Sequence, residues 1–160
     1  MTLARPKESV WDYPRPPRVE HCDRHVRVEH GGEAIAQSDR AVRVLETASP
    51  PTIYIPAADV RTDLLVGVDA EHTHCEWKGR ADYFHVDVGG KRAETAAWHY
   101  PAPRDAFVNL RGHISFYAGR VDACYLGEER VRPQGGRFYG GWVTDEIEGP
   151  YKGEPGTEGW

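Results

Sequence analysis

Lysine, cysteine, methionine and phenylalanine are all scarce in this chain: four, three, one and four in 160 residues. The three cysteines, Cys22, Cys75 and Cys124, are odd in number and far apart. They exclude a disulfide framework and point to reduced thiols in the cytoplasm. Lys and Arg total 20 against 25 Asp and Glu, a net charge of −5. A protein that coats nucleic acid carries the opposite excess. No apolar run approaches the roughly 20 residues that span a bilayer, and Met1 to Val10 lacks the apolar stretch of a signal peptide. The expectation is a soluble cytoplasmic protein with neither nucleic acid nor membrane as partner. The oligomeric state stays open.

What is present is turn punctuation and amphipathic aromatic surface. Gly numbers 17 and Pro 12, and Trp and Tyr together number 13 against four Phe. Aromatic side chains with a polar handle line half-wet pockets. They also serve as strand formers on sheet faces.

Residues 1–24 hold four prolines and no apolar period, which reads as an extended arm pinned by Trp11 and Tyr13. From residue 25 to 126 the pattern is β. Val26 and Val28 alternate with polar neighbours, Gly31-Gly32 follows, and Glu33 to Gln37 resumes, which predicts a hairpin. Val42, Val44 and Glu46 share one face of the next strand, with Arg43 and Leu45 on the other. Ile53-Tyr54-Ile55 is a short strand stopped by Pro56, and a helical turn runs on to Leu65. Gly67 to Gly79 is polar and aperiodic and reads as a loop. Ala81 to Val88, Gly89-Gly90 and Lys91 to Tyr100 form a second hairpin, and Asp105 to Leu110 a short helix. His113 to Tyr117 and Arg120 to Leu126 read as a last strand pair. Residues 127–160 are rich in Gly, Pro and aromatics and read as a tail wrapping the core. The fold class is mainly β: a single domain of two similar antiparallel hairpin lobes, barrel- or sandwich-like, with one or two short helices.

One resemblance is carried by several stretches in order: Arg43-Val44-Leu45-Glu46-Thr47, Pro51-Thr52-Ile53-Tyr54-Ile55-Pro56, Cys75-Glu76-Trp77-Lys78-Gly79, Ala81-Asp82-Tyr83, Ala96-Ala97-Trp98-His99-Tyr100-Pro101 and Ile114-Ser115-Phe116-Tyr117. Together they resemble the bacterial and fungal domain-of-unknown-function family 427, and the tail is similar to that of its longer actinobacterial members. The resemblance implies a β-rich domain and no established reaction, although the family carries a nucleotidyltransferase label. That label finds little here. Nucleotidyl transfer needs carboxylates for Mg²⁺ and a cradle for phosphates. Neither GxxxxGK[ST] nor GxGxxG occurs, and no loop carries an Asp-x-Asp pair.

Three readings compete at residues 72–79. A metal reading uses His72, His74 and Cys75, with Cys22 or His25 as a further ligand, but lacks the paired C-x₂₋₄-C spacing of structural zinc. A nucleophile reading makes Cys75 the attacking thiol beside Lys78, with His99 or His74 as base. A recognition reading assembles Arg43, Glu46, Tyr54, Lys78, Tyr83, Trp98 and Tyr100 around a small polar or anionic ligand in a cleft between the lobes. Recognition is the expected function, with no metal and no cofactor. The alternative is an interaction module that uses the aromatic tail. Convergence of Tyr54, Tyr83 and Trp98 on one cavity favours the first, and a flat aromatic patch the second.

Overall fold

The structure, a computed structural model, describes residues 5–75, 78–135, 139–154 and 157, without the side chains of residues 69–72 and 74. Among them the strands are β1 (Glu8–Ser9), β2 (Arg18–His21), β3 (Val26–His30), β4 (Glu33–Ser38), β5 (Val42–Glu46), β6 (Ser49–Pro56), β7 (Leu65–Cys75), β8 (Gly79–Val88), β9 (Lys91–His99), β10 (His113–Phe116), β11 (Ala123–Leu126), β12 (Glu129–Arg130), β13 (Arg132–Pro133), β14 (Trp142–Val143) and β15 (Ile147–Glu148). They build a larger sheet in the order β2-β5-β6-β10-β9-β8-β7, a smaller one in the order β12-β11-β3-β4, and two short pairs. The two sheets pack into the expected sandwich-like body, and the larger one does not close into a barrel. No helix among the described residues is long and apolar enough to cross a membrane.

Period-two alternation decides which side chains fill the space between the sheets. Val26 and Val28 from β3 and Cys124 and Leu126 from β11 meet Ile53 and Ile55 from β6, Val86 from β8 and Phe116 from β10. Each fully buried Val, Ile or Phe contributes roughly 1.5–3 kcal/mol. The hairpins β3–β4 and β8–β9 turn at the two Gly-Gly pairs, one hairpin in each sheet. Gly31 has φ +60°, and an added Cβ there would lie 2.8 Å from Val88 Cβ. The turn of one sheet thus rests on the hairpin end of the other.

The termini meet on the flank of the larger sheet. β1 pairs in parallel with β15, and Val10, Tyr13, Leu45 and Ile147 form a small cluster beside them. Trp11, one of the two residues expected to pin the N-terminal segment, is exposed, and its indole N–H donates to the Pro150 carbonyl at 2.8 Å. The chain from Arg18 onward is already sheet, because β2 pairs with β5.

Two features depart from the expectations. The stretch read as a loop from Gly67 is largely strand: β7 pairs with β8 and continues to Cys75. As an edge strand it need bury only part of itself, and a register shift between Gly67 and His72 breaks its alternation. Strands β10 and β11 are not paired. β10 inserts between β6 and β9, while β11 joins β3 and β12, so the turn after Tyr117 crosses between sheets. The short helical turns expected on to Leu65 and at Asp105 to Leu110 are present as 3₁₀ turns at Ala57–Asp59, Thr62–Leu64 and Asp105–Leu110.

Candidate functional site

The alternation that sends Ile53 and Ile55 inward turns Tyr54 to the outer face of the larger sheet. There it joins Val44, Tyr83, Trp98, Tyr100 and Tyr117 in a second cluster that contains no residue of the smaller sheet. Tyr83 and Trp98 are direct cross-strand partners on β8 and β9. Trp98 meets Tyr54 edge-on, with centroids 6.0 Å apart and planes at 87°, and packs against Tyr117 at 4.6 Å. Its indole N–H donates to the Tyr54 hydroxyl at 3.3 Å. Edge-to-face and tilted contacts of this kind hold rings rigidly.

These rings only partly fill the outer face. They wall a cavity of about 370 Å³ that Glu46, Thr73, Cys75, Lys78, Gln134 and Lys152 also line, within the size range of small-molecule sites. The expected position between the lobes is not where the cavity lies. That space is packed with apolar side chains, and the opening is on the opposite side of the larger sheet. The C-terminal segment completes the wall. Gln134 donates to the Lys152 carbonyl at 2.6 Å and accepts from the Gly141 N–H at 3.0 Å. Gly140 lies against the Trp98 indole so closely that a Cβ there would overlap the ring.

The charge in the cavity centres on Lys78. Its side chain is 10% exposed, Glu46 Oε1 lies 4.0 Å from Nζ, and the Tyr100 ring centroid 5.9 Å. Burial works against the ammonium, but the Tyr54, Cys75 and Glu46 side chains outweigh it and hold its pKa above the usual lysine value. Burial drives the Tyr100 and Tyr117 phenols well above the ordinary tyrosine range, so both are neutral donors. Thr73 and Tyr83 share a hydroxyl–hydroxyl hydrogen bond of 2.8 Å.

The structure therefore brings together Glu46, Tyr54, Lys78, Tyr83, Trp98 and Tyr100, and it leaves Arg43 out. Arg43 points to the other side of β5. Its Nε donates to Glu20 at 2.6 Å and its Nη1 to Glu8 at 3.1 Å. The neighbouring Val44 faces the cavity, so strand geometry alone separates Arg43 from Lys78. Cys75 lines the cavity beside Lys78, but His99 does not: it follows Trp98 on β9 and stacks on Phe84 at 4.9 Å. Burial lowers its pKa, against the pull of Asp82. The side chains of His72 and His74, named for metal binding, lie outside the described residues. Cys22 belongs to the core between the sheets, and His25 Nδ1 is 2.8 Å from Asp39. Among the described residues no three His, Cys, Asp or Glu side chains stand together as a metal site.

Tyr117, Thr73, Gln134 and Lys152 were not assigned to the site from sequence, and Tyr139, which also lines it, belongs to the aromatic tail expected to wrap the core. Thr73 sits in the stretch read as a loop. The tail residues carry no periodic signal and reach the cavity only through the fold. Residues 18–127 match the profile of a family described as a domain of unknown function, DUF427. No curated protein matches the chain.

Proposed function

The chain belongs to the DUF427 family, and we propose that this member holds a small planar anion in the cavity on the outer face of its larger sheet. One observation carries the reading: the well-buried Lys78 ammonium opens into an aromatic-walled cavity, and among the described residues no carboxylate lies closer to it than 4.0 Å. Among the described residues two lysines and one glutamate line that space, a balance that one negative charge on a ligand neutralises. The Tyr and Trp rings suit a flat body, and the tyrosine and threonine hydroxyls suit its polar edge. The aromatic residues of the described tail support the same reading. Trp142 is buried and donates to the Phe116 carbonyl, Tyr139 lines the cavity, and Tyr151 packs on the terminal cluster.

Benzoate and its neutral isostere benzamide test the charge requirement, with binding followed by isothermal titration and native mass spectrometry. Benzoate is expected to bind at least about tenfold tighter, the low end of what a hydrogen bond to a charged group contributes. Trp98→Ala is expected to weaken both compounds. Equal affinity for the two, or binding indifferent to Trp98, counts against the site.

A further inference from the structure

We infer that Cys75 is the nucleophilic group of this protein and that Lys78 directs it toward electrophiles bearing a carboxylate. The inference rests on the reading of the cavity as an anion site. The three thiols differ in access. Cys22 and Cys124 are buried in the core between the sheets, and burial raises the pKa of both. Cys75 alone is partly exposed, and it opens into the cavity.

The second observation is independent of the thiol. Lys78 is buried to about nine-tenths and aimed into the same cavity. Its ammonium has three donors. Cys75 lines the cavity beside it, and among the described residues the one carboxylate paired with it, Glu46, stands 4.0 Å away, beyond ordinary hydrogen-bond distance. A carboxylate entering the cavity would take the unspent donors and so place its neighbouring carbon beside the sulfur. The ammonium also screens the repulsion that an anionic reagent meets at a thiolate. In the bond-forming step the thiol gives its proton to solvent and sulfur attacks the electrophilic carbon. With an α-halo acid a carbon–sulfur bond forms, the carbon–halogen bond breaks, and halide leaves with the electron pair.

Iodoacetate and iodoacetamide, equal in size and different in charge, are the probes. The full chain is treated with each at matched concentration, the rate at every cysteine is read by peptide mass spectrometry, and N-acetylcysteinamide is the reference thiol. The ratio of iodoacetate to iodoacetamide rates at Cys75 is expected to exceed the reference ratio by about tenfold or more, since a pair of unit charges near a protein surface interacts by more than the free energy of one decade. Cys22 and Cys124 stay unmodified over the same time. Lys78→Arg keeps the preference and Lys78→Met returns it to the reference value. A wild-type ratio at the reference value, or three cysteines reacting alike, overturns the inference, and the wild-type ratio decides alone if Lys78→Met does not fold. Benzoate binding together with a reference ratio removes the thiol role and leaves the anion site standing. A raised ratio that survives Lys78→Met removes the role given to Lys78.

Discussion

Replacing Lys78 by methionine separates a binding role from a structural one. Taking an ammonium out of water costs several kcal/mol even after relaxation. An opposite charge at about 4 Å returns about 4 kcal/mol at an effective dielectric of 20 and about 1 kcal/mol in water. The Glu46 side chain is 27% exposed and lies 4.0 Å from Nζ, so its return falls between those limits, and together with the Tyr54 and Cys75 side chains it offsets the cost. Methionine keeps a flexible apolar stem in the same space, and the carboxylate left behind remains hydrated. The expected outcome is stability unchanged or lowered by no more than about 2 kcal/mol. In a chain of this length that is a fall in Tm of no more than about 8 °C. Urea unfolding followed by tryptophan fluorescence and calorimetric melting measure it. In the same variant benzoate is expected to bind no tighter than benzamide. A loss of more than about 2 kcal/mol with the benzoate preference intact would refute the argument, because Lys78 would then be a strut of the fold rather than a ligand anchor.

Arg43→Met is expected to behave the opposite way. It leaves Glu8 and Glu20 facing each other without their shared guanidinium, so urea unfolding should report a loss of about 1–3 kcal/mol while benzoate affinity is unchanged. Acid should weaken the join between core and tail. Burial pushes the Glu146 carboxyl up, but hydrogen bonds from Thr144, a backbone N–H and Arg24, together with the Arg24 charge, hold it below the usual glutamate value. A depressed folded-state pKa gives stability that is full above the unfolded value, about 4.3, and is lost as pH falls through the folded one. Stability curves from pH 6 down to pH 3 should therefore be flatter in Glu146→Gln than in wild type, and parallel curves would contradict this. Gly31→Ala should cost more than Gly32→Ala by about 1 kcal/mol or more, because both positions have positive φ but only Gly31 faces Val88; thermal melts of the two variants decide it.

The parts of this fold that were legible in the sequence are those set by the backbone's own geometry. Successive strand side chains point to opposite faces whatever surrounds them. Ile53-Tyr54-Ile55 therefore announced one aromatic facing away from two aliphatics, and the Gly-Gly pairs announced two hairpins. The same rule already placed Arg43 on the face opposite Val44 and Glu46. Grouping it with Glu46 and Lys78 followed charge where strand geometry pointed the other way. β7 was hidden because an edge strand is free to carry polar residues on both faces. What only the tertiary structure decided is which strands are neighbours. β10 inserts between β6 and β9 instead of pairing with β11, a choice made by burial summed over the whole sandwich rather than by any local signal. Arg43 finds Glu8 across 35 residues, and Lys152 joins Lys78 at one cavity. Those partners are brought together by the parallel pairing of β1 with β15 and by Gln134 holding the tail, contacts between distant segments for which no residue spacing along the chain is a guide.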